Sequence, residues 1–187
     1  MRISSTPSPM NLNHISKFMS LILRHRPEAA ALELDENGWI DADVLIEAVK
    51  KEFPGFNRQT LNRVVSSNDK QRFAFSNDGT RIRASQGHSI EIDLALEPKQ
   101  PPAVLYHGTD SAAAEIIQVE GVQKRARQHV HLSPNPDTAK NVGSRHGKPV
   151  IFEVAAERMF EEGYEFFLSA NGVWLTDFVP AEYLSKR

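Results

Sequence analysis

The sequence contains no cysteine. That excludes disulfides, thiolate zinc sites and a thiol nucleophile, and it suits a cytoplasmic protein. Net charge is also small, −2 at pH 7 over 187 residues. No global basic field therefore draws the chain to nucleic acid, and any polyanion site must be a local cluster. No apolar run approaches membrane-spanning length, so no membrane association is expected. The Ser/Pro-rich start, residues 1–10, has no apolar core and reads as a flexible tail rather than a signal peptide. Three catalytic signatures are missing as well: a Gly-x-Ser-x-Gly turn, a Gly-Lys-Ser/Thr phosphate loop, and a Gly-x-Gly-x-x-Gly following a strand. Serine hydrolases, ordinary NTPases and Rossmann dehydrogenases are left without support.

What is present begins with a helical half. Leu12, Ile15, Phe18, Met19, Ile22 and Leu23 recur at helical spacing, predicting a helix over residues 12–26 that Pro27 stops. Asn37-Gly38 marks a turn, and Trp39-Ile40 a short extended piece. Asp41 caps a second predicted helix running to residue 51, and Asn57 a third over residues 58–66. Residues 72–75 and 81–83 flank a Ser-Asn-Asp-Gly-Thr turn, which signals a hairpin. Three short helices followed by a hairpin suggest a winged-helix lobe. Ile90, Ile92, Leu94 and Leu96 alternate with other residues and predict a half-buried strand. Residues 97–102 look like a linker, so the predicted division is 11–97 and 98–187, with a hinge just after Gly87 as the alternative.

The second half reads as strand-rich. A strand ends in His107-Gly108-Thr109, and Asp110 or Ser111 caps a helix stopped by Gly121. Val130 and Leu132 mark a strand carrying His129 and His131. Residues 136–142 form a predicted short helix and residues 150–154 a strand. Asn171-Gly172 closes a second hairpin, and Val179 and Tyr183 complete the core. The fold class is α+β.

The chain has seven histidines. Six lie in five short clusters with arginine or glycine: Arg24-His25-Arg26, Arg83 to His88, His107-Gly108-Thr109, Arg127 to His131 and Arg145-His146-Gly147. Each sits near an element end, where sites are usually built. His129-x-His131 lacks a readable third ligand and is flanked by Arg125 and Arg127, so no metal is expected. Arginine and histidine without catalytic carboxylates suit phosphate groups that bring their own nucleophile, the protein supplying charge and position. The plain alternatives are dipole-complementing cations at the end of the first helix and a solvated strand end around Gly87.

Five runs carry a resemblance. Leu21-Ile-Leu-Arg-His-Arg-Pro27, Arg81-Ile-Arg-Ala-Ser-Gln-Gly-His-Ser89, Leu105-Tyr-His-Gly-Thr109, Arg127-Gln-His-Val-His-Leu-Ser133 and Asn171-Gly-Val-Trp-Leu-Thr176 resemble the RNA 2'-phosphotransferase family, in the family's order. Ser85 stands where that family often has Asn. The resemblance implies a winged-helix lobe joined to an ADP-ribosyltransferase-like lobe that binds NAD. It also implies a two-step reaction. An internal RNA 2'-phosphate attacks C1'' of the nicotinamide riboside and releases nicotinamide. The ribose O2'' then attacks that phosphorus, freeing the RNA 2'-OH and ADP-ribose 1'',2''-cyclic phosphate.

Carried over by motif, Arg24, His25, Arg83 and Arg127 form the catalytic set. The first three would hold the RNA 2'-phosphate, with His25 the candidate proton donor to the leaving oxygen. Arg127 would neutralise the transferring phosphate or the NAD diphosphate. His107, Gly108, Thr109, His131 and Arg145 would line the NAD cleft, Gly108 by permitting close backbone approach. No protein partner is implied, and a monomer is expected. Two other readings stay open: a non-enzymatic winged-helix binder, and an ADP-ribosyltransferase using Glu153 or Glu165.

Overall fold

Helix α1 (Leu12–Arg24) starts where the Asn11 side chain accepts the backbone N–H groups of Asn13 and His14. Its buried stripe, Ile15, Met19, Ile22 and Leu23, is the apolar face expected from the sequence. The helix ends two residues before the predicted stop. Pro27 bars helical geometry at Arg26 (φ −144°, ψ 64°), and His25 has already left it. A 3₁₀ turn, Pro27–Ala30, follows. The computed structural model describes residues 11–67, 70–145 and 147–187. The predicted tail, residues 1–10, and His146 lie outside the described residues.

Asp41 caps α2 (Ala42–Glu52) and Asn57 caps α3 (Arg58–Ser66), both as the sequence indicates. Strands β1 (Ile40–Asp41), β2 (Phe73–Phe75) and β3 (Arg81–Ala84) form an antiparallel sheet in the order β1-β3-β2. Ile82 is opposite Ile40 on one side and Phe75 on the other. The helices and the inner face of this sheet share one apolar cluster, drawn from Ile15 through Ala84. Burial of this kind contributes roughly 25 cal/mol per Å² of apolar surface.

The second half contains β4 (Leu105–Asp110), α4 (Ser111–Glu120), β5 (Val122–Gln123), β6 (Val130–Leu132), α5 (Pro136–Gly143) and β7 (Pro149–Val154). It ends with α6 (Ala156–Glu161), β8 (Phe167–Leu168), β9 (Trp174–Thr176), β10 (Phe178–Val179) and β11 (Leu184–Lys186). Two three-stranded antiparallel sheets result, β11-β7-β4 and β6-β9-β8, with β5 and β10 as a separate pair. The Asn171-Gly172 hairpin has its predicted pairing, Leu168 opposite Trp174. A second apolar cluster spans Leu105 to Tyr183. Asp110 caps α4, and Gly121 (φ 79°) ends it where a Cβ would lie 2.2 Å from the Val179 carbonyl oxygen.

The predicted strand over residues 90–96 is not a strand. Ile92 and Leu94 are buried as the alternation requires, but Ala95 takes φ 51° and the polar backbone is occupied elsewhere. Asp93 N–H donates to the Glu36 carbonyl, and Asn37 Nδ2 donates to the Asp93 carbonyl at 2.7 Å. The alternation reflects packing: Ile92 and Leu94 join Leu175 in a third small cluster, with Leu34 against it. Residues from both halves meet there. The predicted linker also touches the second half, because Lys99 N–H donates to the Phe166 carbonyl and Pro98 bridges Phe167. Among the described residues, no helix is long and apolar enough to cross a membrane.

Candidate active site

The two larger sheets of the second half meet through the isolated bridge Tyr106–Ser133. Beyond it β4 and β6 carry no ladder pairing with each other; His107, Gly108 and Thr109 lie on β4 and His131 on β6. His107 Nδ1 reaches across to the His131 carbonyl oxygen at 3.4 Å, so this nitrogen carries the proton. The edge is held rigid from behind. A Cβ on Gly108 would lie 1.6 Å from the Ala139 carbonyl oxygen, and one on Gly143 would lie 2.5 Å from that of Thr109. The close approach that Gly108 permits is thus to the backbone of α5, which lies flat on β4.

The last turn of α1 meets this edge across residues 87–89. The Arg24 carbonyl accepts the Ser89 N–H at 3.0 Å, and His25 Nδ1 lies 2.9 Å from Ser89 Oγ. From the other side, Gln128 N–H donates to the His88 carbonyl at 3.2 Å. Gly87 takes φ 88°, a conformation that favours glycine, and two functional groups flank it. Arg24 Nη1 and His131 Cε1 each lie 3.6 Å from where its Cβ would be. Arg127 Nη1 is 2.7 Å from His131 Nδ1. An arginine only donates, so Nδ1 is the acceptor and His131 is the neutral Nε2–H tautomer. The structure therefore brings Arg24, His25, Arg127, His131 and His107 together from both halves of the chain.

The electrostatics of this seam have one sign. Burial, then Arg72 and Arg127, lower Arg24 to about 10. Burial and then Arg145 lower Arg127. His25 is lowered by desolvation and then by Arg24 and Arg127. His131 falls to about 3, through burial first and then Arg127, His129, Arg24 and His107. His88 falls to about 4, through burial and then Arg24, Arg83, His25 and His129. Among the described residues, no carboxylate contributes to any of these shifts. Such a cluster of desolvated like charges costs stability unless an anion enters it.

Arg83 lies on β3, beside His88 rather than within the Arg24–Arg127 group. Its Nη1 donates to the carbonyls of Asn37 (3.2 Å) and Leu94 (3.3 Å). Arg145, just past the end of α5, acts electrostatically on both Arg127 and Lys70. Thr109 is half-buried at the end of β4. The His129-x-His131 pair is divided, since His129 packs edge-on against Phe167 while His131 meets Arg127. Among the described residues, no group of three or more histidine, cysteine, aspartate or glutamate side chains could hold a metal ion.

The family model described as "RNA 2'-phosphotransferase, Tpt1 / KptA family" matches residues 10–178. A probable RNA 2'-phosphotransferase of Fusobacterium nucleatum is 50% identical over 171 residues, 91% of this chain and 96% of that protein. One from Nostoc punctiforme is 51% identical over 180 residues, covering 96% and 99%. One from Hahella chejuensis is 52% identical over 170 residues, 91% of each. The chain belongs to this family. The matched span includes all nine residues selected from the sequence: Arg24, His25, Arg83, Arg127, His107, Gly108, Thr109, His131 and Arg145.

Some members of the site were not selected from the sequence. Ser89 and Gln128 tie the seam together through main-chain bonds that leave no side-chain pattern. Ser85 is buried, its Oγ donating to the Gln71 carbonyl and its N–H to that of Arg72. Arg72 in turn accepts Arg24 Nη2 on its carbonyl at 3.3 Å. A basic residue immediately before β2 was the available signal.

Proposed function

We propose that this protein removes an internal 2'-phosphate from RNA by transferring it to NAD, a co-substrate consumed in each turnover. The observation that carries the reading is a seam of cations, without a carboxylate acting on Arg24 or Arg127 among the described residues, in a chain of this family. The donor set fits phosphate oxygens: two guanidinium groups, Arg24 and Arg127, converge with His25 and His131 around Gly87.

In this scheme Arg24, His25 and Arg83 hold the RNA 2'-phosphate, which supplies its own nucleophilic oxygen. That oxygen bonds to C1'' of the nicotinamide riboside, and nicotinamide leaves with the glycosidic electron pair. O2'' gives up its proton as it bonds to phosphorus, the P–O2' bond breaks, and the RNA oxygen takes a proton, so the step neither gains nor loses a proton overall. His25 is assigned to deliver that proton by its residue type. Arg127 neutralises the migrating phosphate or the NAD diphosphate. His107, Gly108, Thr109 and His131 border the gap between β4 and β6 that would take the nicotinamide end, and Arg145 the adenosine side. We read the first half, residues 11–97, as a winged-helix RNA-binding lobe and the second, residues 98–187, as an ADP-ribosyltransferase-like lobe. The enzyme is taken as monomeric and cytoplasmic.

A carboxylate-dependent ADP-ribosyl transfer finds less support. Glu153 sits 3.7 Å from Arg187, and Glu165 is exposed. Purified protein incubated with NAD and an RNA carrying an internal 2'-phosphate should yield nicotinamide, dephosphorylated RNA and ADP-ribose 1'',2''-cyclic phosphate. NAD cleavage without loss of the 2'-phosphate would refute the reading.

A further inference from the structure

Arg83 is fixed by residues that lie in none of the five family runs. Its guanidinium carbon stands 4.4 Å over the Trp39 ring. Its Nη1 donates to the Asn37 and Leu94 carbonyls. Trp39 itself is anchored by a closed turn. The Asp35 carboxylate accepts the N–H groups of Asn37 (3.0 Å) and Trp39 (2.8 Å), and Asp35 N–H donates back to the Trp39 carbonyl (2.9 Å). Gly38 carries φ 78°, and a Cβ there would press on Ile92 at 3.2 Å. Asn37 Nδ2 holds the Asp93 carbonyl, which sets the position of Leu94.

The neighbouring cation shows what is unusual here. Arg81 and Arg83 project from the same face of β3, and both approach Trp39, at 5.4 and 4.4 Å. Arg81 is paired with Asp35 at 3.4 Å. Among the described residues, Arg83 hydrogen-bonds only neutral carbonyls, with Asp35 acting on it from farther away. Its charge thus stays available and acts on His88, as do those of Arg24 and His25. A guanidinium has five N–H donors. The two on Nη1 are occupied, which leaves Nε and Nη2 as its one intact bidentate edge.

We propose that Trp39 is a positioning residue for the transfer reaction. Together with the Asn37 and Leu94 carbonyls, its ring holds Arg83 so that the Nε–Nη2 edge, side-on, meets the phosphate. The proposal rests on the reading that Arg83 serves the RNA 2'-phosphate. A flat aromatic face is what the stack requires, so Phe can replace Trp39 and Leu cannot.

Arginine side-chain relaxation measured by NMR tests the clamp without any substrate. The Arg83 Nε–H signal is identified by its loss in Arg83→Lys. It should be ordered in the wild type and in Trp39→Phe, and mobile in Trp39→Leu. With NAD and 2'-phosphorylated RNA, Trp39→Leu should lose about tenfold or more in kcat with little change in the KM for NAD, whereas Trp39→Phe should stay within about threefold. The double variant Trp39→Leu/Arg83→Lys should be no slower than Arg83→Lys alone. An Arg83 signal equally ordered in Trp39→Leu, or additive losses in the double variant, would overturn the proposal. If the wild type shows no turnover, the functional reading fails, and the relaxation result still decides whether Trp39 holds Arg83.

Discussion

Replacing Arg24 by Met should make the ligand-free protein more stable while removing its activity. The guanidinium is desolvated and faces two further arginines; burial first, and then those charges, lower it to about 10. A shift of this size corresponds to about 3 kcal/mol disfavouring the charged form. The sign follows from the direction. The folded protein binds this proton less tightly than the unfolded chain, so the cost is fully present at every pH below about 10 and fades only above it. Against this, the substitution removes the Nη2 bond to the Arg72 carbonyl, a 3.3 Å contact worth about 1 kcal/mol. Methionine keeps an apolar stem against the same neighbours. The balance is a gain of about 1–2 kcal/mol, or about 2–8 °C in Tm for a chain of this length.

Denaturant unfolding at pH 7.5, with and without a 2'-phosphorylated dinucleotide, measures both sides of this argument. Ligand at about 100 times its Kd should stabilise the wild type by about 2.7 kcal/mol. The Met variant should lose most of that gain. A ligand-free Met variant less stable than the wild type by 1 kcal/mol or more, on the order of one ordinary hydrogen bond, would refute the idea that the fold carries an uncompensated cation there.

Four further outcomes are expected. His131 and His88 titrate near 3 and 4 in the fold but near 6.5 when unfolded, so the unfolded chain binds their protons first and stability should fall as pH drops from about 6.5 towards 3; unfolding curves should show that loss reduced in His131→Gln. Gly108→Ala places a methyl against the Ala139 carbonyl oxygen and should cost about 3 kcal/mol or more, visible as lost soluble folded protein whether or not ligand is present. His107→Ala should weaken NAD binding more than RNA binding by calorimetry, since its ring spans the gap between β4 and β6. Arg83→Lys keeps the charge but loses the fork, and should cost about a hundredfold in turnover with folding intact, nearly as much as Arg83→Ala.

What could be read from the sequence was local or motif-borne. Asp41, Asn57 and Asp110 cap helices through bonds made within three residues, so sequence spacing alone locates them. The Asn171-Gly172 turn fixes its hairpin in the same way. Residues 90–96 defeated the reading because their alternation is real but their backbone bonds go to Glu36 and Asn37, more than fifty positions away. Helix α6 is six residues long without a capping side chain, and β5 pairs with β10 across the whole second half, so neither has a local signature. At the site, motifs named the arginines and histidines, but nothing in them indicated that Arg83 would be held by Trp39.

The seam also explains why cations can be gathered without carboxylates. A carboxylate beside Arg24 would neutralise it and compete with any phosphate for the same N–H groups. Here the groups that orient the cations are neutral: the carbonyl of Arg72 for Arg24, the Nδ1 of His131 for Arg127, and the carbonyls of Asn37 and Leu94 for Arg83. Such acceptors fix direction while leaving charge in place. The main chain of residues 87–89 then holds the assembly closed, through Ser89 to Arg24 and His88 to Gln128. The apolar contacts of Ile92, Leu94 and Leu175 supply cohesion across the same boundary. Among the described residues, the repulsion on Arg24, Arg127 and Arg83 is therefore offset by packing and neutral hydrogen bonds. That leaves the positive field for an incoming anion, and makes the ligand itself the counter-charge that the fold omits.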